Sequence, residues 1–170
     1  MRLSIGIDLG FGVKSATAVS IIDQECVLLH SFQVTPGLLK DEVEKLQYIS
    51  RNVAHALKKY FGDDHKKHQI TVTLETCVMQ GKSGATMQRL LGAIVAALPQ
   101  YMEIKYCHNM TLKKKITGSG LADKKQMGEA AIKLAASYKA RSTVEVLEKW
   151  LDRNDHDLMD SYCLAVSEII

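Results

Sequence analysis

Proline is scarce in this chain of 170 residues: Pro36 and Pro99 are the only two. No proline-rich linker, low-complexity tract or internal repeat is visible, so residues 1–170 are expected to form one domain. The four cysteines, at 26, 77, 107 and 163, have neither CxxC nor mixed Cys/His ligand spacing. That excludes a zinc ribbon and reads as small core residues in a reducing compartment. His65 and His68 flank a lysine pair in a polar stretch, which is not the setting of a zinc site. Long apolar runs are also missing. The longest, Leu90 to Leu98, is far too short to span a bilayer, and Asp8 interrupts the N-terminal apolar run before it reaches signal-peptide length. A cytoplasmic protein is expected.

What is present is ordinary in bulk and uneven in distribution. The chain is 46% hydrophobic and 24% charged, with a formal net charge of +3. Acids concentrate before residue 45 and after 145, whereas Lys58-Lys59, Lys66-Lys67, Lys113-Lys114-Lys115 and Lys124-Lys125 fill the middle. Lysine pairs are commonly plain solvated surface. Beside an acidic pocket, a basic middle is also what an enzyme acting on a polyanion requires.

Alternation predicts strands over 3–9, 14–22 and 25–34, joined at Gly10/Gly12 and Asp23-Gln24 as an antiparallel meander. Leu39, Val43, Leu46, Ile49, Val53, Leu57 and Tyr60 recur at three or four and predict a helix over 39–61. A strand at 70–75, an apolar helix at 84–98 and a fifth strand at 101–107 follow. Beyond Lys113–Lys115 and Gly118-Ser119-Gly120 the sequence is helical to the end, with a break near Asn154. This order describes an α/β protein with a mixed sheet and helices on both faces.

Four carboxylates stand out against that frame. If MRLSIGID is a strand, Leu3, Ile5 and Ile7 share one face and Asp8 lies on the other. In QITVTLE, Ile70, Val72 and Leu74 share a face and Glu75 is opposite. Asp157 and Asp160, three apart on a helix, project from one side. Gathered together, such acids repel one another unless hard cations neutralise them, and oxygen-only ligands suit Mg²⁺ or Mn²⁺. The pattern points to two-metal phosphoryl chemistry. Plainer readings exist for each acid. Asp8 and Glu75 can face solvent at strand ends, and Asp157 can sit in the first turn of a helix capped by Asn154. Asp152 and Asp155 lack the DxxD spacing with an apolar run after it.

Four stretches in register, IGIDLG, LETCVMQGKSGATMQRLLGAIVAAL, GSGLADKKQM and DLMDSYCLAV, make the chain resemble the RuvC-type Holliday junction resolvases of the ribonuclease H-like superfamily, bacteriophage members included. The resemblance implies a ribonuclease H-like mixed five-stranded sheet with helices on both faces. It implies that Asp8, Glu75, Asp157 and Asp160 hold two Mg²⁺ ions, Mn²⁺ serving in their place, and that Lys124, or else Lys125, sits by the scissile phosphate. The implied reaction is hydrolysis of branched DNA by paired nicks, leaving 5′-phosphate and 3′-hydroxyl ends. The implied setting is a bacterial or phage-infected cytoplasm.

A homodimer is implied as well, since paired cuts in a near two-fold junction require two active sites about one axis. Met87, Leu90, Leu91, Ile94, Val95 and Leu98 make helix 84–98 the expected dimer element, a buried central helix being the other reading. Lys82 and Ser83, within Gly81-Lys82-Ser83-Gly84, and the lysines at 113, 114, 115 and 125 are candidate DNA contacts, although the full P-loop spacing is absent. The family places a base-stacking aromatic three residues after its catalytic Glu. Here that position is Val78, which cannot stack as a ring does, so Met79 is a candidate substitute. Three other functions fit parts of the sequence: a RuvC-like nuclease of broader range, a non-catalytic DNA-binding module, and an actin-like ATPase, whose first phosphate hairpin GIDLGFGVKSAT resembles.

Overall fold

The computed structural model describes residues 1–12, 15–76 and 81–170, with side chains at all of these except 64, 65 and 81–83. Val78 and Met79 therefore lie outside the described residues, as do the side chains of Lys82 and Ser83. A meander of β1 (Arg2–Asp8), β2 (Thr17–Asp23) and β3 (Leu28–Val34) leads into α1 (Glu42–Phe61), a short 3₁₀ segment and β4 (Gln69–Thr76). Then come α2 (Gly81–Ala97), β5 (Glu103–His108), α3 (Asn109–Thr117), α4 (Lys124–Ser137), α5 (Arg141–Arg153) and α6 (His156–Val166). The five strands form one sheet in the order β3-β2-β1-β4-β5. The meander is antiparallel, and β4 and β5 run parallel to β1.

Differences from the expected boundaries have local causes. β3 starts at Leu28, three residues later than expected, because the Asp23 carboxylate accepts from the backbone N–H groups of Glu25 and Val27 and closes a turn there. Cys26, at φ 57°, completes that turn in the left-handed region. Asp41 caps α1 by accepting from the Glu44 N–H at 2.9 Å, so the helix begins after it and not at Leu39. Val43 and Tyr60, expected on the buried stripe of α1, are 57% and 40% exposed. Lys113–Lys115 stand within α3, where a connecting stretch was expected. His108 caps that helix and Gly118, at φ 81°, ends it.

Each face of the sheet is covered. Leu3, Ile5 and Ile7 of β1 join Val72 and Leu74 of β4 in a core closed by Ile49, Val53 and Leu57 of α1 and by α2. Leu90, Leu91, Ile94 and Leu98 are buried in that core, and Met87 and Val95 pack against it. Much of the apolar surface of α2 is thus covered within the chain, Met87 and Val95 only in part. The helix is half-buried, with Arg89, Gly92 and Ala96 exposed on its outer side.

The opposite face is built differently, from small and polar residues: Ser4, Gly6, Ser20 and Thr73. Helix α6 lies directly on them. A Cβ at Gly6 would fall onto the Ser161 carbonyl oxygen and the Ala165 amide. Two buried hydrogen bonds fix the helix to the sheet: Ser4 Oγ donates to the Ala165 carbonyl at 2.7 Å, and Ser20 Oγ pairs with Ser161 Oγ at 2.7 Å. The outer face of α6 packs Tyr162 and Cys163 into a second core with Leu147 and Trp150 of α5 and Met127 of α4. The described cysteines, 26, 107 and 163, are free and buried. No helix among the described residues is long and apolar enough to cross a membrane.

Candidate active site

The close seat of α6 decides where its acids go. Asp8 is the last residue of β1, and the parallel register ending at Ile7↔Leu74 sets Glu75 beside it on the face that carries α6. Crevices at the carboxyl ends of parallel strands are where open α/β sheets place ligands. The first turns of α6 cross that end of the sheet and bring Asp157 and Asp160 to the same place. The Asp8 carboxyl feels the nearby charges of Asp160, Glu75 and Asp157. The four acids come from three elements separated by most of the chain.

Their electrostatics follow from crowding away from water. Burial first, and then the charges of Asp160, Glu75 and Asp157, push the Asp8 carboxyl well above the usual carboxylate range. Asp8 is only 9% exposed. Burial likewise pushes Asp160 up to about 6; the Lys124 ammonium opposes this and the Glu75 charge adds to it. The pocket therefore favours bound protons at Asp8 and Asp160, the response of a site with more negative charge than its own cations neutralise.

Neighbouring groups orient these carboxylates. The Ala16 N–H donates to Asp157 Oδ2 at 2.9 Å, tying α6 to the β1–β2 connection. Asn109 Nδ2 donates to Glu75 Oε1 at 2.8 Å from the start of α3. The connection itself is held by Thr17, whose hydroxyl accepts from the Gly10 N–H and donates to the Gly10 carbonyl. A Cβ at Gly10 would collide with the Ala16 carbonyl. Asn154 does not cap the last helix as expected; at φ 56° it ends α5, and α6 begins after Asp155 with no side-chain cap. Asp157 is thus engaged with the β1–β2 connection and is more than a first-turn acid.

The candidate lysines separate clearly. Lys124 opens α4, where the Asp123/Gln126 capping box fixes the helix start, and its Nζ lies 3.9 Å from Asp160 Oδ2. A cation at a helix N-terminus opposes the macrodipole, so this lysine is not placed for helix stability. Lys125 points instead to Glu129, at 4.0 Å along the same helix. Lys113 lines a small cleft with Glu75, Asn109, Lys124 and Asp160. Lys114 is exposed, and Lys115 donates to the Ser167 carbonyl at 2.8 Å, beyond the far end of α6.

The donor set fits hard divalent cations in kind: oxygen only, rich in negative charge, and already drawing protons in to relieve that charge. No three His, Cys, Asp or Glu side chains among the described residues stand in a metal-coordinating arrangement. Sequence reasoning did not find Asn109, the Ala16 N–H or the Ser4/Gly6/Ser20 seat. For the seat there was a signal, since a strand with small polar residues at alternate positions marks a close-packed helix.

Solved structures that share this architecture include two of RuvC. One is a Thermus thermophilus RuvC structure, at 17% identity and TM-score 0.66, covering 97% of this chain and 92% of that one. The other is T. thermophilus RuvC in complex with Holliday junction substrate, at 16% identity and TM-score 0.66, covering 98% and 92%. No family model and no curated protein sequence matches. Over nearly its whole length, this chain has the ribonuclease H-like fold of RuvC.

Proposed function

We propose that this protein is a divalent-metal-dependent endonuclease that cuts branched DNA, four-way junctions foremost, by phosphodiester hydrolysis leaving 5′-phosphate and 3′-hydroxyl ends. One observation carries the reading. Asp8, Glu75, Asp157 and Asp160 interact at the carboxyl end of β1 and β4 in a fold shared with a RuvC structure that holds a Holliday junction. Those four residues are the ones to hold two Mg²⁺ ions, with Mn²⁺ serving in their place. When bound, the ions supply the positive charge that activates water and stabilises the departing 3′ oxygen.

The chain's own groups prepare the reaction. The Ala16 N–H and Asn109 Nδ2 each occupy one oxygen of Asp157 and of Glu75, leaving the other oxygen of each for ligation. Displacing protons from Asp8 and Asp160 readies those oxygens. Lys124, 59% exposed beside Asp160, is placed to contact the scissile phosphate. Lys113, on the other wall of the same cleft, adds a second cation. No protein nucleophile is needed. Paired nicks in opposed strands require two copies of the chain about one axis, so a homodimer is part of this proposal.

The experiment is cleavage of a synthetic four-way junction with Mg²⁺. Paired symmetric nicks are expected, lost in Asp8→Asn while junction binding is kept. Equal cutting of linear duplex would instead indicate a general nuclease. Nucleotide hydrolysis without DNA cleavage would indicate the ATPase.

A further inference from the structure

A second, larger cleft of about 340 Å³ is lined by Asp157 and Lys124 but not by Glu75. Its walls come from the end of β3, the α5–α6 junction and the start of α4. Gln33, Thr35, Asn154 and His156 line it, with Lys124 and Asp157 at its rim toward the site. Lys124 borders both this cleft and the smaller one that holds Glu75 and Lys113, so a single ammonium stands between them. The larger cleft is therefore within reach of a strand whose phosphate rests at Lys124.

The chemistry of the lining selects what enters. Asp155 borders the cleft, and its negative charge disfavours a second phosphate there. The remaining groups are a carboxamide, a hydroxyl, a second carboxamide and a half-buried imidazole. Among the described residues, the side chains of Gln33, Asn154 and His156 make no hydrogen bond within the chain. Carboxamides offer the paired donor and acceptor that match a base edge, and an imidazole plane is a surface on which a base stacks. We infer that this cleft is a nucleoside subsite, taking the base and sugar of one nucleotide flanking the scissile phosphate, with Gln33 and Thr35 contacting it from the β3 edge. The inference rests on the nuclease reading above and goes beyond it by fixing the strand's path across β3.

Abasic substitution tests it. Four-way junctions carrying a single abasic residue immediately 5′ or 3′ of the mapped cut are cleaved with Mg²⁺ by the wild-type chain and by Gln33→Ala/Thr35→Ala. Both residues are exposed at the sheet edge, and thermal unfolding verifies that the variant is folded. At one of the two positions, base removal is expected to slow wild-type cleavage by about fivefold or more. The variant should be slower on the intact junction and lose most of that sensitivity, because the partner of the missing base is already gone. Equal abasic penalties in wild type and variant overturn the subsite while leaving the nuclease reading intact. Absence of cleavage of any branched DNA by the wild-type chain overturns both.

Discussion

Replacing Asp160 by Asn should make the metal-free protein more stable and the enzyme inactive. The Asp160 carboxyl is 27% exposed and is pushed up to about 6. An unfolded chain ionises it near ~3.9. The folded protein therefore binds more protons between those values, and its stability falls as pH rises from about 4 to about 6, the penalty being complete above that. A displacement of that size corresponds to about 3 kcal/mol, and residual solvent contact with loss of the Lys124 pair trims this to about 1–3 kcal/mol. For a chain of this length each kcal/mol moves the midpoint by about 2–4 °C, so Asp160→Asn should melt about 2–12 °C higher in EDTA at about pH 7.5. Near pH 5 the gap should shrink to roughly half. Adding Mg²⁺ should raise the wild-type midpoint more than the variant's, because only the intact acid set binds the ion fully. Cleavage should fall about a hundredfold or more. The assay is thermal unfolding by circular dichroism across pH, with and without Mg²⁺, beside junction cleavage. A variant no more stable than wild type in EDTA, or a gap indifferent to pH, would refute the account of charge crowding in the pocket.

Further outcomes follow from the same geometry. Ca²⁺ in place of Mg²⁺ should support junction binding without cleavage, since its looser coordination serves this chemistry poorly; full turnover with Ca²⁺ would contradict the octahedral requirement. Gly6→Ala should cost about 1–3 kcal/mol or more in denaturant unfolding and lower cleavage together with stability, because the added Cβ pushes α6 off the sheet. A neutral effect would mean α6 is not seated by that glycine. Lys124→Ala should reduce single-turnover cleavage far more than Lys125→Ala, as only the first ammonium stands at the acids. Equal losses from the two substitutions would undo that distinction.

The sequence by itself determined the types of most elements, α3 excepted, and the faces of the strands. Alternation in MRLSIGID and QITVTLE is a local property of an extended backbone, so the sides taken by Asp8 and Glu75 could be read before any tertiary contact was known. The same holds for the DxxD spacing on one side of α6 and for the helix break at Asn154. Turn and cap chemistry shifted the edges: Asp23 bonding its own downstream amides shortened β3, and His108 capping allowed a helix over the lysine run.

Only the tertiary structure decided how near the acids come and which neighbours hold them. That distance depends on how closely α6 approaches the sheet, which is set by Gly6, Ser4 and Ser20 meeting Ser161 and Ala165 across some 140 to 160 residues of sequence. No periodicity encodes a contact of that separation. The same limit applies to α2, since its sequence did not tell which part of its apolar surface the sheet and α1 would cover. It also explains Asn109 and the Ala16 amide, which are ordinary as letters and acquire a role only because folding sets them beside Glu75 and Asp157.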